Sequence, residues 1–284
     1  MVMPMSNKRD SMGFIELDKF RIRDYEAVPK SNCFTFTYKG KRYFFKPTKR
    51  VEDIYNESIA YEIAKDFGID AVPYDIASKD GEIGYLSKDC FRPGMMYLED
   101  MLISFYGNDL NKCNLSDVEF MLQERYSEEF AAKISKQLID MLMFDLIIGN
   151  IDRHDRNIVI NEREEKIGPV FDNELMLNGV MYGEKYCFTL FALKDDNLGS
   201  FLKFMDDDVV AKFITKIELV SGEHINEIFE RIEDRIGAPM NSVIKERLIK
   251  RFELQYYTLL KAVQEHKNTM KLEIKRDGDS NASS

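Results

Sequence analysis

The sequence predicts an α+β protein of two lobes: a small β-rich N-terminal lobe (residues 1–90) and a larger, mainly helical one (91–266), ending in a disordered tail (267–284). Three observations predict it. β-Forming runs separated by turn residues crowd into the first 90 positions. Long segments with helical apolar spacing dominate after them. From about Lys267 the chain turns charged and then rich in Gly, Ser and Asn, a composition that buries too little apolar surface to fold.

Residues 33–38 (Cys-Phe-Thr-Phe-Thr-Tyr) and 42–46 (Arg-Tyr-Phe-Phe-Lys) flank Lys39-Gly40 and read as a hairpin, which Pro47 stops. Residues 52–67 read as a helix: Ala60, Ala64 and Phe67 share one face with Ile63 beside them, and Gly68 is the natural stop. Two further strands, 73–77 and 83–87, are joined by the turn Lys79-Asp80-Gly81. A long helix over 128–149 carries Phe130, Ile134, Leu138, Met141 and Leu142 on one side and ends at Gly149-Asn150. Short β-like runs at 157–161 and 167–171 surround a charged turn, 162–166. About three more helices fill 207–265, broken near Gly222 and at Gly237-Ala238-Pro239.

A net charge of −10 (40 basic, 50 acidic residues) disfavours direct binding of nucleic acid or of anionic membranes. No apolar run approaches the ~18 residues of a membrane helix, and the N-terminus shows no secretory h-region. The four cysteines form no C-x-x-C pair and match no zinc spacing. A reduced, cytoplasmic protein is the expectation.

The informative segment is Gly149-Asn150-Ile151-Asp152-Arg153-His154-Asp155-Arg156-Asn157-Ile158-Val159-Ile160. A long apolar helix ends, polar residues follow, and a β-run begins, which sets functional groups on a loop at a scaffold edge. After the second β-run comes Phe171-Asp172-Asn173-Glu174. Phosphoryl transfer from ATP needs a carboxylate at the acceptor hydroxyl, an amide and a carboxylate on magnesium, and a cation on the phosphates. Asp152 precedes Asn157 by five residues and Asp172 follows a β-turn-β, the arrangement protein kinases use for base and metal ligands. Lys46, ending a hairpin strand, is the candidate cation. Asp155 is a rival base in the same loop.

The N-x-D-R-H-x-x-N pattern of residues 150–157, with Phe171-Asp172, resembles the catalytic and metal motifs of HipA-like serine/threonine kinases. Tyr43-Phe44-Phe45-Lys46-Pro47 resembles that family's ATP-lysine strand, and Asn56-Glu57 with the helix to Gly68-Ile69 its following helix. The likeness runs from about Ser31 to Asp172, roughly half the chain, and the chain resembles the shorter, single-module members. It implies a two-lobed protein-kinase-like fold, shared distantly with phosphoinositide kinases. It also implies ATP and Mg²⁺ as cofactors, Asp152 as base, Asn157 and Asp172 as metal ligands and Lys46 on the phosphates. Adenine would lie on backbone near Leu86 and Lys88, up to Asp89. Ser31, in the loop that would cover the phosphates, is a candidate nucleotide-site residue and the serine to test for autophosphorylation, although Pro29-Lys30-Ser31-Asn32 lacks the usual glycines. A protein substrate is implied, with an antitoxin or regulatory partner.

Glu57 lies in line with the apolar stripe of its helix and needs a partner, Lys46 being the obvious one, unless it is simply solvated. His154 reads as a loop-fixing hydrogen-bonder, with metal ligand or base as alternatives. Arg153 and Arg156 suit either phosphate or carboxylate. Two other functions share the motif: a lipid or small-molecule kinase of phosphoinositide-kinase-like type, and a non-catalytic nucleotide-binding protein.

Overall fold

The computed structural model describes residues 5, 8–29, 32–107, 113, 115–177 and 207–281, with side chains to 268. Six strands build the N-terminal sheet: β1 (Ile15–Glu16), β2 (Arg23–Ala27), β3 (Phe34–Tyr38), β4 (Lys41–Pro47), β5 (Tyr74–Lys79) and β6 (Glu82–Lys88), in spatial order β1-β5-β6-β4-β3-β2. All neighbours pair antiparallel except β1 with β5. Both predicted hairpins form. Each turns on two residues at positive φ, Lys39-Gly40 (50° and 70°) and Asp80-Gly81 (51° and 83°), the combination whose twist suits adjoining strands.

Between β4 and β5 runs helix α1 (Asn56–Phe67), capped by Gly68 at φ 94°. Ile59, Ala60, Ile63 and Ala64 are buried beneath the sheet, against Ile76 of β5. The opposite face of the sheet has its own core, with Phe36, Tyr43, Phe45 and Leu86 packed on Ile15 and Leu17. Side chains alternate along a strand, so Lys46, between Phe45 and Pro47 and opposite Tyr85, projects from the face that α1 covers.

The helical part begins with a short three-stranded sheet, β7 (Met95–Tyr97), β8 (Val159–Asn161) and β9 (Lys166–Ile167), ordered β7-β8-β9. Around it stand α2 (Leu98–Tyr106), α3 (Leu115–Arg125) and the long α4 (Glu128–Ile148). Ser127 caps α4 by accepting from the Phe130 N–H, and Gly149, at φ 63°, ends it. Helices α5 (Asp207–Lys216), α6 (Gly222–Ile236) and α7 (Ser242–Asn281) close the fold. Helix α7 runs on through most of the segment expected to be a disordered tail, the backbone continuing as helix to Asn281. The main core is continuous from α1 through α4 to α6 and α7. A parallel bridge between Ala71 and Val170 ties the strand leading to Asp172 to the chain leaving α1. Among the described residues no helix is long and apolar enough to cross a membrane.

Candidate active site

Lys46 sits near the end of β4 with its ammonium facing the C-terminal part of the chain. Its Nζ lies 2.5 Å from Asp172 Oδ1 and 3.0 Å from Glu174 Oε1. Burial works against its charge, but the two carboxylates outweigh it and hold Lys46 above the usual lysine range. The sequence-predicted cation and metal carboxylate, 126 residues apart, thus meet directly.

The loop after α4 is built around one buried guanidinium. Arg153 is fully buried and forms two 2.9 Å bonds to Asp145, which interrupts the apolar face of α4. It also donates to the carbonyls of Phe171 (2.6 Å) and Asn157 (3.3 Å) and to Asn173 Oδ1 (2.5 Å). Of the two roles open to Arg153, carboxylate pairing is the one it takes. Arg156 is exposed and lies 3.5 Å from Glu99. Asn150, also buried, donates to Asp145 (3.0 Å) and accepts from the Asp152 N–H (3.2 Å). These bonds fix the turn that carries Asp152.

Asn157 closes the loop: its Nδ2 donates to the Asp152 carbonyl at 3.1 Å, and its backbone N–H to His154 at 2.8 Å. That orientation commits the amide nitrogen to protein and leaves Oδ1, the hard-oxygen end, outside this bond. Asp152 is half-buried. Burial raises its pKa, His154 and Lys46 pull it down, and the charge of Asp172 raises it again, so the two aspartates sense each other. Asp155 opens a one-turn 3-10 helix (Asp155–Asn157). The His154 ring does not hydrogen-bond the loop as expected. Its Nδ1 is buried without a hydrogen-bond partner, 4.0 Å from Asp155 Oδ1, and the residue shapes the loop only through its backbone.

Asp172 takes a left-handed backbone conformation, φ 59°, uncommon for a residue with a Cβ and tolerated best by Asp and Asn. The chain reverses there and the next two residues turn back to α1. The backbone N–H and Nδ2 of Asn173 donate to Glu57 at 2.7 and 3.2 Å. The Asn56 side chain donates to the Glu174 carbonyl at 2.7 Å. The expected Glu57–Lys46 pair is therefore corrected: Glu57 is 1% exposed and bonds Asn173, while Asp172 and Glu174 take Lys46. Burial and the charge of Asp172 push the Glu57 carboxyl up to about 8, against the pull of Lys46 and of the Asn173 donors. Tyr74 lies close by; burial with Glu57 and Asp172 keeps its hydroxyl protonated well above the usual range.

Ser31 lies outside the described residues. The Leu86 side chain points into the opposite core, away from the face that carries Lys46, so on that face only the backbone is open at this place. Asp89 donates to the Arg42 carbonyl at 3.0 Å, which makes the adjacent Tyr43–Lys88 pair the non-bonded type. The backbone groups of Lys88 thus face away from β4, where β5 has ended with Tyr74 opposite Ser87. Sequence reasoning gave no role to Asn56, Asp145, Asn173 or Glu174. The available signal was four polar residues beside or within buried runs, each requiring a partner.

Two observations test whether these residues fit magnesium and a nucleotide. Among the described residues no three His, Cys, Asp or Glu side chains converge to hold a metal by themselves. Magnesium in phosphoryl-transfer sites takes one or two protein oxygens and completes its shell with phosphates and water. Asp172, which pairs with Lys46, and the Oδ1 end of Asn157 are oxygens of that kind, so the chemistry of the donor set fits the group.

Comparison with solved structures identifies the architecture. The Helicobacter pylori proinflammatory kinase CtkA superposes over 92% of this chain and 99% of its own, with a TM-score of 0.63 and 17% identity. HipA of Shewanella oneidensis MR-1, solved with HipB and operator DNA as a toxin–antitoxin system, gives 0.50 over 86% of this chain and 67% of its own, at 14% identity. No protein-family model matches the sequence, and a search of curated proteins finds no match. The chain has a HipA-like, kinase-type α+β fold, the class the sequence motifs implied.

Proposed function

We propose that this protein is an ATP- and magnesium-dependent serine/threonine protein kinase of HipA-like type. The observation that carries the reading is the ion pair between Lys46 and Asp172, made beside a loop that presents Asp152 and Asn157. A cation, a metal-type carboxylate, a metal-type amide and a second carboxylate in one cleft are the parts phosphoryl transfer requires.

Asp172 and Asn157 would hold magnesium, which supplies charge neutralisation on the phosphates. Lys46 grips the phosphates from the sheet side. The backbone of Lys88 offers a donor and an acceptor to adenine. Asp152 orients the acceptor hydroxyl and takes its proton, and the raised carboxyl pKa brings it closer to the operating pH. Arg153 touches neither substrate; it holds the base loop (residues 150–157) and the metal loop (171–174) together. The acceptor is a protein hydroxyl and the setting cytoplasmic. The HipA neighbour was solved with HipB, and a regulatory protein partner of that kind is part of the proposal.

The test is incubation with γ-labelled ATP, magnesium and a cell lysate, with Asp152→Asn as control. The expected result is label on protein, recovered as phosphoserine or phosphothreonine and lost with the variant. Label in lipid or in a soluble metabolite would move the reaction to the phosphoinositide-kinase-like class. Binding of MgATP without transfer to any fraction would make the protein a nucleotide-binding module.

A further inference from the structure

We infer that Glu174, and not the helix glutamate Glu57, is the carboxylate that positions Lys46 for the phosphates, while Glu57 and Asn56 hold the metal loop that carries Glu174. The inference deepens the kinase reading and rests on it.

Helix α1 enters the site with two consecutive polar residues in its first turn, both buried. Both reach the metal loop: Asn56 holds the carbonyl of Glu174, and Glu57 takes two donors from Asn173. One oxygen of Glu57 faces the backbone N–H and the other the side-chain amide, so both are engaged. With its carbonyl tied to Asn56, Glu174 sends its side chain the other way, to Lys46 at 3.0 Å.

Exposure separates the two glutamates further. The Lys46 and Glu174 side chains are 21% and 27% exposed, open to the cleft where a nucleotide arrives, whereas Glu57 is sealed. Charge completes the argument. Lys46 now faces two carboxylates, Asp172 and Glu174. In the proposed reaction Asp172 would be a ligand of the magnesium ion. Glu174 is then the carboxylate left on the ammonium: the group goes from net −1 to neutral, and the remaining pair fixes the ammonium's direction while its other N–H donors stay open to the phosphates. Glu174 is a positioning residue: it acts through Lys46 and touches no reacting atom.

The experiment is titration calorimetry with MgATP on the wild-type chain, Glu174→Gln and Glu57→Gln, with thermal melts as a folding control. Glu174→Gln should weaken MgATP binding by about tenfold, the order expected when one partner of a charge pair is removed. Its magnesium dependence should stay unchanged, as should its melting temperature. Glu57→Gln should shift the magnesium dependence, because it loosens the residue next to Asp172. Glu174→Asp, which keeps the charge, should fall between wild type and Glu174→Gln. Should Glu174→Gln fail to fold, Glu174→Asp serves alone. A structure with a non-hydrolysable MgATP analogue should keep Glu174 on Lys46. Unchanged binding by Glu174→Gln overturns the inference, as does a shift of its magnesium dependence, which would make Glu174 a metal ligand. A Lys46–Glu57 pair in the analogue complex also overturns it. If wild type binds no MgATP, the kinase reading itself falls; if wild type binds and Glu174→Gln binds equally well, only this inference does.

Discussion

Asp152 and Asp172 are both carboxylates, and the proposed reaction gives them different work in different surroundings. Asp172 touches Lys46 and bends the chain at positive φ; Asp152 stands on a loop fixed by Asn150 and Asn157 and makes no ion pair with Lys46. Asp152→Asn should keep MgATP affinity and lower turnover by roughly 10²–10⁴-fold, the usual contribution of a general base. Asp172→Asn should weaken MgATP binding and shift the magnesium requirement upward, since one negative ligand charge is lost. Calorimetry beside turnover measurements separates them, and loss of binding in Asp152→Asn alone would reverse the roles. Glu57 adds a pH dependence. Its carboxyl rises from the ordinary 4.5 to about 8 on folding. Between those values the folded chain binds more protons than the unfolded one, so this contribution is fully present below about 4.5 and is lost as pH rises through about 8. Denaturation midpoints of wild type should fall relative to Glu57→Gln across that window. Parallel curves from pH 5 to pH 9 would show that Glu57 is charged throughout.

Strand β4 aims Lys46, and its neighbour β6 is shaped to let it pass. Gly84 stands opposite Pro47, and a Cβ there would lie 2.2 Å from the Lys46 carbonyl oxygen and 2.7 Å from Pro47 Cα. Both obstacles are backbone, so Gly84→Ala must push β4 aside at Lys46. It should cost about 1–3 kcal/mol, as overpacking does, and weaken MgATP binding with it. Gly222→Ala, where nothing lies within 4 Å, is the control and should change stability little. A stable Gly84→Ala with full affinity would show that β4 has slack. At this scale much was legible in the sequence. The two hairpins, α1 and α4 announce themselves through alternation, helical spacing and glycine stops, all local signals. The strands β1, β2 and β7 were not read. The first and last are two and three residues long, and β2, Arg-Asp-Tyr-Glu-Ala, is a largely exposed edge without apolar alternation. Asp152, Asn157, Asp172 and Lys46 were singled out by their spacing, and the structure brings Lys46 to Asp172 and Asn157 to the Asp152 carbonyl; their work in phosphoryl transfer belongs to the proposal. The partner of Glu57 was missed because a stripe on a helix tells which face is buried, not which residue waits across from it. Asn173 meets Glu57 from 116 positions away.

Across the whole molecule the site is held by buried charge. Asp145 on α4, Arg153 on the base loop, Asn173 on the metal loop and Glu57 on α1 form one chain of hydrogen bonds joining the helical part to the helix beneath the sheet. Two effects compete in such a network, its contribution to stability and its hold on geometry. A buried ion pair is often no more stabilising than apolar residues of similar volume, whereas removing one partner leaves a bare charge. Asp145→Leu alone should therefore cost about 3–5 kcal/mol. Adding Arg153→Met removes the stranded guanidinium and should recover part of that loss. Recovery stays incomplete, because the carbonyls of Phe171 and Asn157 and the Asn173 side chain lose their donor. Those same lost bonds hold Asp172 against the base loop. The double variant should thus fold with a cooperative melt yet show weak MgATP binding and little phosphoryl transfer. Denaturation and calorimetry on the two variants decide the matter. If the double variant regained wild-type affinity and turnover along with its stability, the network would serve folding alone, and the metal loop would owe its position to α1.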